Sequence, residues 1–255
     1  MHIAVCVKRI PLSGGRWVLT ADSSEIDTSG PSMGFTLSPH EECAAEAAVQ
    51  LVEQVGGSST VLTVGTADSE EQVRSLLAVG IDRGVIVETD GQEWDPQATA
   101  AALSSQIQAG APEGAYDLVI CGTEAGDTAD YQVPVRIAHA LGWPVVTNVK
   151  GLTITDGVAR CERAVGAQRE VYEVALPAVI SVKDGVNIPR YPSVPGRIKA
   201  RKKPVDTIAG DRPAPRLEKV RLDLVEEEAR SAEVLGTGPE AVPALVAVFQ
   251  KIGVI

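Results

Sequence analysis

The chain has 255 residues, of which 44% are hydrophobic and only 4% aromatic, and its formal net charge is −11. This acidic balance argues against general nucleic-acid binding, because the phosphate backbone attracts basic surfaces. No apolar run approaches the roughly 20 residues needed to cross a bilayer, and no basic stretch precedes the apolar start of the chain. We therefore expect neither membrane insertion nor a signal peptide.

The cysteines, the histidines and the core composition further limit the class of protein. The four cysteines are widely spaced, with no Cys-x-x-Cys pair, which is typical of buried thiols in a reducing compartment and predicts a cytoplasmic protein. The three histidines have no ligand spacing, so we expect no structural metal site. A core built from Ala, Val, Leu and Ile with few aromatic residues is typical of helices packed on a parallel sheet.

Short apolar runs alternate with helical patterns up to about residue 145. Buried strands are predicted at residues 2–7, 60–64, 84–87 and 117–121. Ser38, Pro39 and Glu41 form a capping-box helix start, and two glycines end that helix at residues 56 and 57. Caps of the three later helices are predicted at Asp68, at Asp95, and at Asp127 or Asp130. This order predicts a doubly wound, mostly parallel α/β sheet with Rossmann-like topology.

The second half of the chain has a different character. Residues 145–182 contain alternating runs that predict an antiparallel excursion, ending in a strand at residues 178–182. We therefore expect an α/β core over residues 1–205. Residues 206–255 predict an extended arm, which includes the acidic triplet Glu226–Glu228, and a terminal amphipathic helix. The pattern leaves open whether the arm reaches another subunit or packs back on its own domain.

One segment concentrates positive charge. No acidic residue lies between Asp184 and Asp206, whereas six cations do: Arg190, Arg197, Lys199, Arg201, Lys202 and Lys203. A solvated basic linker is one explanation. The apolar Val194, held between two prolines, favours a docking element instead, because cations alone do not give specificity.

Ligands of an open parallel sheet bind at the carboxyl ends of its strands, near the switch in strand order. Four segments should meet there: residues 6–9, 38–41, 64–68 and 122–133. The last contains two glycines and leads into a helix amino terminus, whose free N–H groups suit a phosphate. An ordinary strand–helix loop is the alternative. The sequence has no P-loop, dinucleotide fingerprint or nucleophile elbow, so we expect no catalysis by this chain alone.

Several short pieces also keep a characteristic order and spacing. They are residues 7–9, 38–39, 64–65, 77–83, 122–133, 176–179, 187–192 and 251–253, of which 187–192 (Asn-Ile-Pro-Arg-Tyr-Pro) is the most specific. Together they resemble the beta subunit of electron-transfer flavoproteins, the family that includes the nitrogen-fixation-associated flavoproteins. The resemblance implies an adenine-nucleotide alpha-hydrolase-like topology and a heterodimer whose alpha subunit holds the redox-active FAD. In such a heterodimer the arm and terminal helix of residues 206–255 would contact the alpha subunit. The beta subunit then binds AMP in a structural role, or a second FAD in electron-bifurcating members.

The resemblance also implies two sets of site residues. The nucleotide contacts fall on Cys6, Ser38, Pro39, His40, Glu41, Val64, Gly122, Thr123, Glu124, Ala125, Gly126, Asp127, Thr128, Ala129, Asp130, Tyr131, Gln132 and Val133. The recognition loop, which docks acyl-CoA dehydrogenases or other flavin-dependent dehydrogenases, falls on Arg190, Tyr191, Pro192, Ser193, Val194, Pro195, Gly196, Arg197, Ile198 and Lys199. Its apolar anchor, usually Leu, corresponds to Val194.

The chain departs from the family pattern at several positions. Many members have Asn-Gln-Thr-Gly where this chain has Tyr-Gln-Val-Pro at residues 131–134, so backbone amides would have to hold the phosphate. A Tyr that approaches the flavin is replaced near Ser13, an aromatic residue by His40, and a Glu that steadies the flavin domain by Ala164. Two alternatives stay open: a bifurcating subunit with a redox-active second FAD, and a stand-alone adenine-nucleotide-binding module of universal-stress type.

Overall fold

The computed structural model describes residues 1–13, 17–31, 33–224 and 232–255. The chain divides into two units, Met1–Arg221 and Leu222–Ile255. Two features of the sequence lie outside the described residues: the glycine-rich turn that follows Ser13, and the acidic triplet Glu226–Glu228 of the predicted arm.

A seven-stranded sheet is the centre of the first unit. The strands of this unit, in chain order, are β1 (His2–Val7), β2 (Ile10–Ser13), β3 (Met33–Thr36), β4 (Ser58–Gly65), β5 (Arg83–Glu88), β6 (Leu118–Gly122), β7 (Val145–Val149), β8 (Gly151–Thr155), β9 (Val158–Val165), β10 (Gln168–Ala175), β11 (Ala178–Val182) and β12 (Val205–Ala209). Seven of them form the order β12-β5-β4-β1-β6-β11-β7, in which all neighbours are parallel. This arrangement confirms the predicted doubly wound, mostly parallel α/β fold.

Helices cover both faces of this sheet. They are α1 (Pro39–Val55), α2 (Glu70–Val79), α3 (Pro96–Ala109), α4 (Val133–Leu141) and α5 (Val194–Ala200). On one face the fully buried Ala44 and Ala48 of α1 pack with Val5 of β1, and their small side chains let the helix lie close to the sheet. On the other face Leu103 of α3 and Ile137 of α4 pack into a second buried cluster. Both faces are therefore closed, as a parallel sheet requires.

Two of the predicted helix caps are confirmed. Ser38 precedes α1, and the carboxylate of Glu41 reaches back to the backbone nitrogen of Ser38 at 3.0 Å, as in a capping box. Asp95 precedes α3, and its carboxylate accepts a hydrogen bond of 2.6 Å from the backbone N–H of Ala98.

The other predicted caps are wrong. Asp68 lies inside a short 3₁₀ turn, Ala67–Ser69, whose last residue is buried against Gly65, and α2 begins only at Glu70. Neither Asp127 nor Asp130 caps α4, which begins at Val133. The carboxylate of Asp127 is engaged by Lys8 instead.

The antiparallel excursion is narrower than residues 145–182. Strands β8, β9 and β10 form a separate antiparallel sheet in the order β10-β9-β8. Strands β7 and β11 flank this sheet in the sequence, but both belong to the parallel sheet, where they pair with each other. The structure also contains an antiparallel β2–β3 hairpin that the sequence pattern does not predict.

The end of the core and the second unit also differ in detail from expectation. Strand β12 pairs with β5, so the main sheet extends beyond residue 205, where we expected the arm to begin. In the second unit the predicted terminal helix is present as α6 (Val242–Lys251), and none of its residues is buried. Among the described residues, no helix is both long and apolar enough to span a membrane, and no cluster of His, Cys, Asp or Glu has a metal-binding arrangement.

Candidate functional site

The switch in strand order lies between β1 and β6 at the centre of the sheet. From β1 the order runs outwards through β4 and β5 on one side, and through β6, β11 and β7 on the other. Strands β1, β4 and β6 end at Val7, Gly65 and Gly122, so three of the four predicted segments start from one edge, and the start of α1 brings the fourth, residues 38–41, against the end of β6. Such an edge, at a switch point, is where ligands of this fold class bind.

Helix α1 begins directly against the end of β6. A Cβ atom at Gly122 would lie 2.9 Å from Cγ of Glu41 and 3.1 Å from Cβ of His40. Gly126 is similarly close, since its Cβ would lie 3.0 Å from Cδ1 of Ile10. A side chain at Gly122 would push the loop away from α1, and one at Gly126 would push it away from β2, so both positions require glycine. We call residues 122–132 the crevice loop.

Glu41 ties the first strand to the start of α1. One carboxylate oxygen accepts a hydrogen bond of 2.7 Å from the backbone N–H of Lys8, and the other accepts from the Ser38 hydroxyl at 3.1 Å. Burial raises the pKa of Glu41 to about 7, although these hydrogen bonds favour the charged form and oppose the shift. Glu41 therefore holds the edge together and is also an ionisable group that titrates near neutral pH.

The crevice loop holds its own polar groups in place. Thr123 is buried, and its hydroxyl donates to the carbonyl oxygen of Val182 on β11 at 3.0 Å, so this predicted nucleotide contact faces the neighbouring strand. Ala129 and Tyr131 both have positive φ, at 48° and 58°, which non-glycine residues adopt rarely and mostly at functional or tightly constrained positions.

Helix α4 starts without a side-chain cap. Gln132 precedes its first residue, and the Gln132 amide oxygen accepts from Arg136 one turn later rather than from the first N–H groups of the helix. Pro134 has no N–H to satisfy in this turn. The backbone N–H of Val133 therefore lies at a helix amino terminus that is suited to an anion.

His40 carries an unsatisfied polar atom at the same edge. Its side chain is buried, and Nδ1 has no hydrogen-bond partner among the described residues. The carboxylate of Glu124 is 3.9 Å from Nδ1, and that of Asp184 is 3.3 Å from Nε2. A buried, unpartnered ring nitrogen at the end of β6 is a feature that a bound polar ligand would complete.

Lys8 was not among the predicted site residues, yet it closes one side of this edge. Its ammonium group lies 2.7 Å from the carboxylate of Asp127 and 3.3 Å from that of Glu93. Burial lowers the pKa of Lys8, but the two carboxylates outweigh this effect and raise it overall. The sequence placed Lys8 in the segment of residues 6–9, but gave no signal for Glu93, which comes from the loop after β5.

The structure brings most of the predicted nucleotide contacts together. Ser38 lies within 3.4 Å of the carbonyl oxygen of Glu124, and Lys8 pairs with Asp127, so the start of α1, the end of β1 and the crevice loop form one cluster. Cys6 is buried in the sheet below this cluster, and Val64 lies one strand away, at the end of β4.

The predicted recognition loop is partly helical. Residues 187–193 form neither helix nor strand, and α5 begins at Val194, with the Ser193 hydroxyl accepting from the N–H of Gly196 at 3.1 Å. The apolar side chains of Ile188, Tyr191 and Val194 are 89%, 95% and 73% exposed. We call residues 187–199 the docking segment.

The cations of this region fall into two groups. Arg190 pairs with two glutamates of α1, and the ammonium of Lys203 donates to carbonyl oxygens at the end of α2, so both hold the fold together. The remaining four have no ion-pair or hydrogen-bond partner for their side chains in the described part of the chain: Arg197, Lys199, Arg201 and Lys202. The free positive charge therefore lies on α5 and the turn after it.

Fold and site together define a Rossmann-like α/β protein with a candidate ligand crevice at its strand-order switch and a separate basic segment that exposes apolar side chains. A family model described as electron transfer flavoprotein domain matches residues 32–213. The chain belongs to the electron transfer flavoprotein beta-subunit family, which confirms the resemblance seen in the sequence.

The similarity to named relatives covers most of the chain. Electron transfer flavoprotein subunit beta of Bacillus subtilis (strain 168) is 35% identical over 231 residues, which is 90% of this chain and 83% of the relative. The subunit of the same name from Syntrophomonas wolfei is 35% identical over 210 residues, covering 82% and 80%. That from Mycobacterium tuberculosis (strain ATCC 25618 / H37Rv) is 34% identical over 213 residues, covering 81% and 78%.

Proposed function

We propose that this electron transfer flavoprotein beta subunit works in a cytoplasmic heterodimer with an alpha subunit, and that the heterodimer carries electrons between flavin-dependent dehydrogenases and a downstream acceptor. FAD bound with the alpha subunit supplies the redox chemistry. This chain contributes a rigid platform, a structural AMP site in the crevice and the surface that docks the dehydrogenase, and it has no catalytic activity of its own.

One observation carries the AMP site: the uncapped amino terminus of α4 lies at the strand-order switch that also holds the unpartnered Nδ1 of His40. The N–H of Val133 would hold the phosphate through the backbone, since the side chains at residues 131–134 differ from the Asn and Thr of many family members. The Nδ1 of His40 would gain a partner from the bound nucleotide. The residues present therefore fit AMP without requiring the usual side chains.

The heterodimer purified with its alpha subunit tests the ligand assignment. Denaturation followed by mass spectrometry of the released ligands should give AMP and FAD in equal amounts. Two equivalents of FAD and no AMP would overturn the AMP site and favour the electron-bifurcating alternative. Stable monomeric protein that turns over ATP without an alpha subunit would favour the stand-alone module.

A pair of histidine variants tests which side of the protein holds the nucleotide. His40→Ala should lower the AMP content of the purified heterodimer, because it removes the ring beside the crevice. His139→Ala makes the same change on the exposed side of α4 and should leave the AMP content unchanged. Equal AMP content in both variants would contradict the placement of the nucleotide beside His40.

The docking role is carried by the 73% exposed Val194 at the start of α5. Val194→Asp should weaken electron transfer from an acyl-CoA dehydrogenase by about thirtyfold or more, because a charge cannot enter the apolar pocket that an anchor residue fills. FAD content and heterodimer assembly should be unchanged. Val55→Asp, at a valine that is 52% exposed outside both the docking segment and the predicted arm, is the matched control and should transfer electrons normally.

A further inference from the structure

A short segment without helix or strand joins β11 to the docking surface. β11 ends at Val182 and α5 begins at Val194, and between them the chain passes along one side of α1. Three contacts hold this segment against α1, and from one contact to the next both the segment and α1 advance by three residues. Asp184 lies beside His40, the amide of Asn187 donates to the carbonyl oxygen of Cys43 at 2.9 Å, and Arg190 pairs with Glu46.

Arg190 makes the strongest of these contacts. Its Nε donates to Glu46 at 2.9 Å, and its two terminal nitrogens donate to the two oxygens of Glu53 at 2.7 and 2.9 Å. The backbone N–H of Arg190 donates to Glu46 as well, at 3.1 Å, so this carboxylate binds both the side chain and the backbone of Arg190. Fork-like pairing of this kind fixes a geometry that a point charge cannot.

The environment of Glu46 makes this attachment costly to break. The Glu46 side chain is only 4% exposed, and Arg190 supplies its compensating charge, so removing the guanidinium leaves a buried carboxylate without its cation. The hydrogen bonds that Arg190 donates to Glu53 and Glu46 raise the pKa of its guanidinium further above the ordinary value, so the group stays charged.

We propose that Arg190 is the positioning residue of the docking segment: by clamping Glu46 and Glu53 of α1, it holds Tyr191 and Val194 in the conformation that a partner dehydrogenase binds. The proposal rests on the docking role proposed above. Arg190 belongs to the predicted recognition loop, but its guanidinium points at α1 and is neutralised there, so it acts through the segment and not through direct contact with the partner.

The physical consequence follows from preorganisation. Tyr191 and Val194 are largely exposed, so their own packing does little to hold the residues just before α5. Without the clamp, the segment spends only a fraction of the time in the binding conformation, and the apparent dissociation constant for the dehydrogenase rises in inverse proportion to that fraction. A competent fraction of about one in ten to one in a hundred therefore weakens docking about ten- to hundredfold.

Three variants of the heterodimer separate position from charge. Arg190→Ala removes the clamp and the charge, Arg190→Lys keeps the charge but loses the fork, and Arg197→Ala removes one of the unpartnered cations of the same segment. Hydrogen exchange of the docking segment is measured in the heterodimer alone. Affinity for an acyl-CoA dehydrogenase is measured at low salt and in 1 M NaCl, where charges are screened beyond about 3 Å.

Arg190→Ala and Arg190→Lys should both speed exchange of the amide of residue 190, which donates to Glu46, by about tenfold or more, and both should weaken docking in 1 M NaCl as well as at low salt. Arg197→Ala should leave exchange unchanged and weaken docking only at low salt. If Arg190→Lys behaves as wild type, or if the loss in Arg190→Ala disappears in 1 M NaCl, Arg190 is merely a surface charge and the proposal is wrong.

Two further variants complete the test. If Arg190→Ala prevents assembly of the heterodimer, Glu53→Gln replaces it: this side chain is 56% exposed, and its loss should raise exchange of the segment by a smaller factor. Unchanged exchange in Glu53→Gln would count against the clamp. Val194→Asp distinguishes failure of the docking role from failure of the positioning role. Normal docking by Val194→Asp would overturn the docking role. Impaired docking by Val194→Asp, together with wild-type behaviour of Arg190→Lys, would overturn only the positioning role.

Discussion

The loops that leave β6 and β11 can be compared directly, because these two strands are parallel neighbours in the sheet. Each loop starts at the carboxyl edge and leads to a short helix, α4 or α5. The crevice loop turns its polar groups inwards, with Thr123 buried and Asp127 paired with Lys8. The docking segment turns apolar side chains outwards, with Tyr191 95% exposed.

This difference is consistent with the two sites proposed above, in which one sheet edge provides both a small-molecule site and a protein-binding surface. Concave edges with a few fixed polar groups bind small ligands, whereas exposed apolar residues rimmed by charge mark protein contacts. Changes in or beside the crevice loop should therefore alter stability and nucleotide content. Changes at the tip of the docking segment should alter partner affinity and leave stability alone.

The largest expected effect comes from Glu41, whose pKa is raised from 4.5 to about 7 by burial. Because the folded state binds the proton more tightly, the stability from this group is fully present below pH 4.5 and is lost as the pH rises through 7. Glu41→Gln has no such titration. Between pH 5 and pH 8, the free energy of unfolding of the wild type should fall by about 2–3 kcal/mol more than that of Glu41→Gln.

Urea titrations of both heterodimers at several pH values measure this difference. Other titrating groups are common to the two proteins, so their contributions cancel. Parallel stability curves for wild type and variant would show that Glu41 is ionised throughout the range and that the hydrogen bonds from Lys8 and Ser38 outweigh its burial.

The second effect comes from Gly122, where any side chain meets the start of α1. Gly122→Ala should destabilise the heterodimer by about 1–3 kcal/mol, because the added Cβ has no space against Glu41 and His40. It should also lower the AMP content, since the same shift moves the crevice loop. Thermal unfolding and ligand release by mass spectrometry measure both quantities.

Gly34→Ala is the matched control for Gly122. A Cβ there would meet its nearest neighbour, the carbonyl oxygen of Leu12, at 4.0 Å, which is an ordinary contact distance. This variant should keep wild-type stability and AMP content. Equal losses in the two variants would show that the approach of α1 to β6 has no special importance.

The sequence predicted the features whose signals are local. Ser38 and Asp95 each stand directly before a proline at a helix start, so the whole cap signal lies within a few residues, and both caps are correct. The strand ends at the crevice edge are likewise predicted from local signals, namely short apolar runs in the sequence. Asp127 also looked like a cap, but it is drawn to Lys8, which lies far away in the sequence.

What the sequence could not predict depends on contacts between distant parts of the chain. Strand β12 is recognised only by its pairing with β5, which lies more than a hundred residues earlier in the chain. The same holds for Arg190, which looked like one basic residue among six until its glutamate partners on α1 were known. Charge counting cannot separate a cation that steers a partner from one that fixes a loop.

The smallest expected effect concerns the docking segment, whose apolar side chains face outwards. Val194 is the residue at which the family resemblance places an anchor that is usually Leu, and it is 73% exposed. Val194→Leu adds one methylene, which is worth about 0.8 kcal/mol when fully buried, so affinity for the dehydrogenase should rise by up to about fourfold. The unfolding temperature should not change, because the added group touches solvent in the free protein. A titration of the heterodimer with dehydrogenase measures the gain in affinity. A loss of affinity would mean that the pocket of the partner is shaped for Val. This chain would then have diverged from its relatives in partner as well as in sequence.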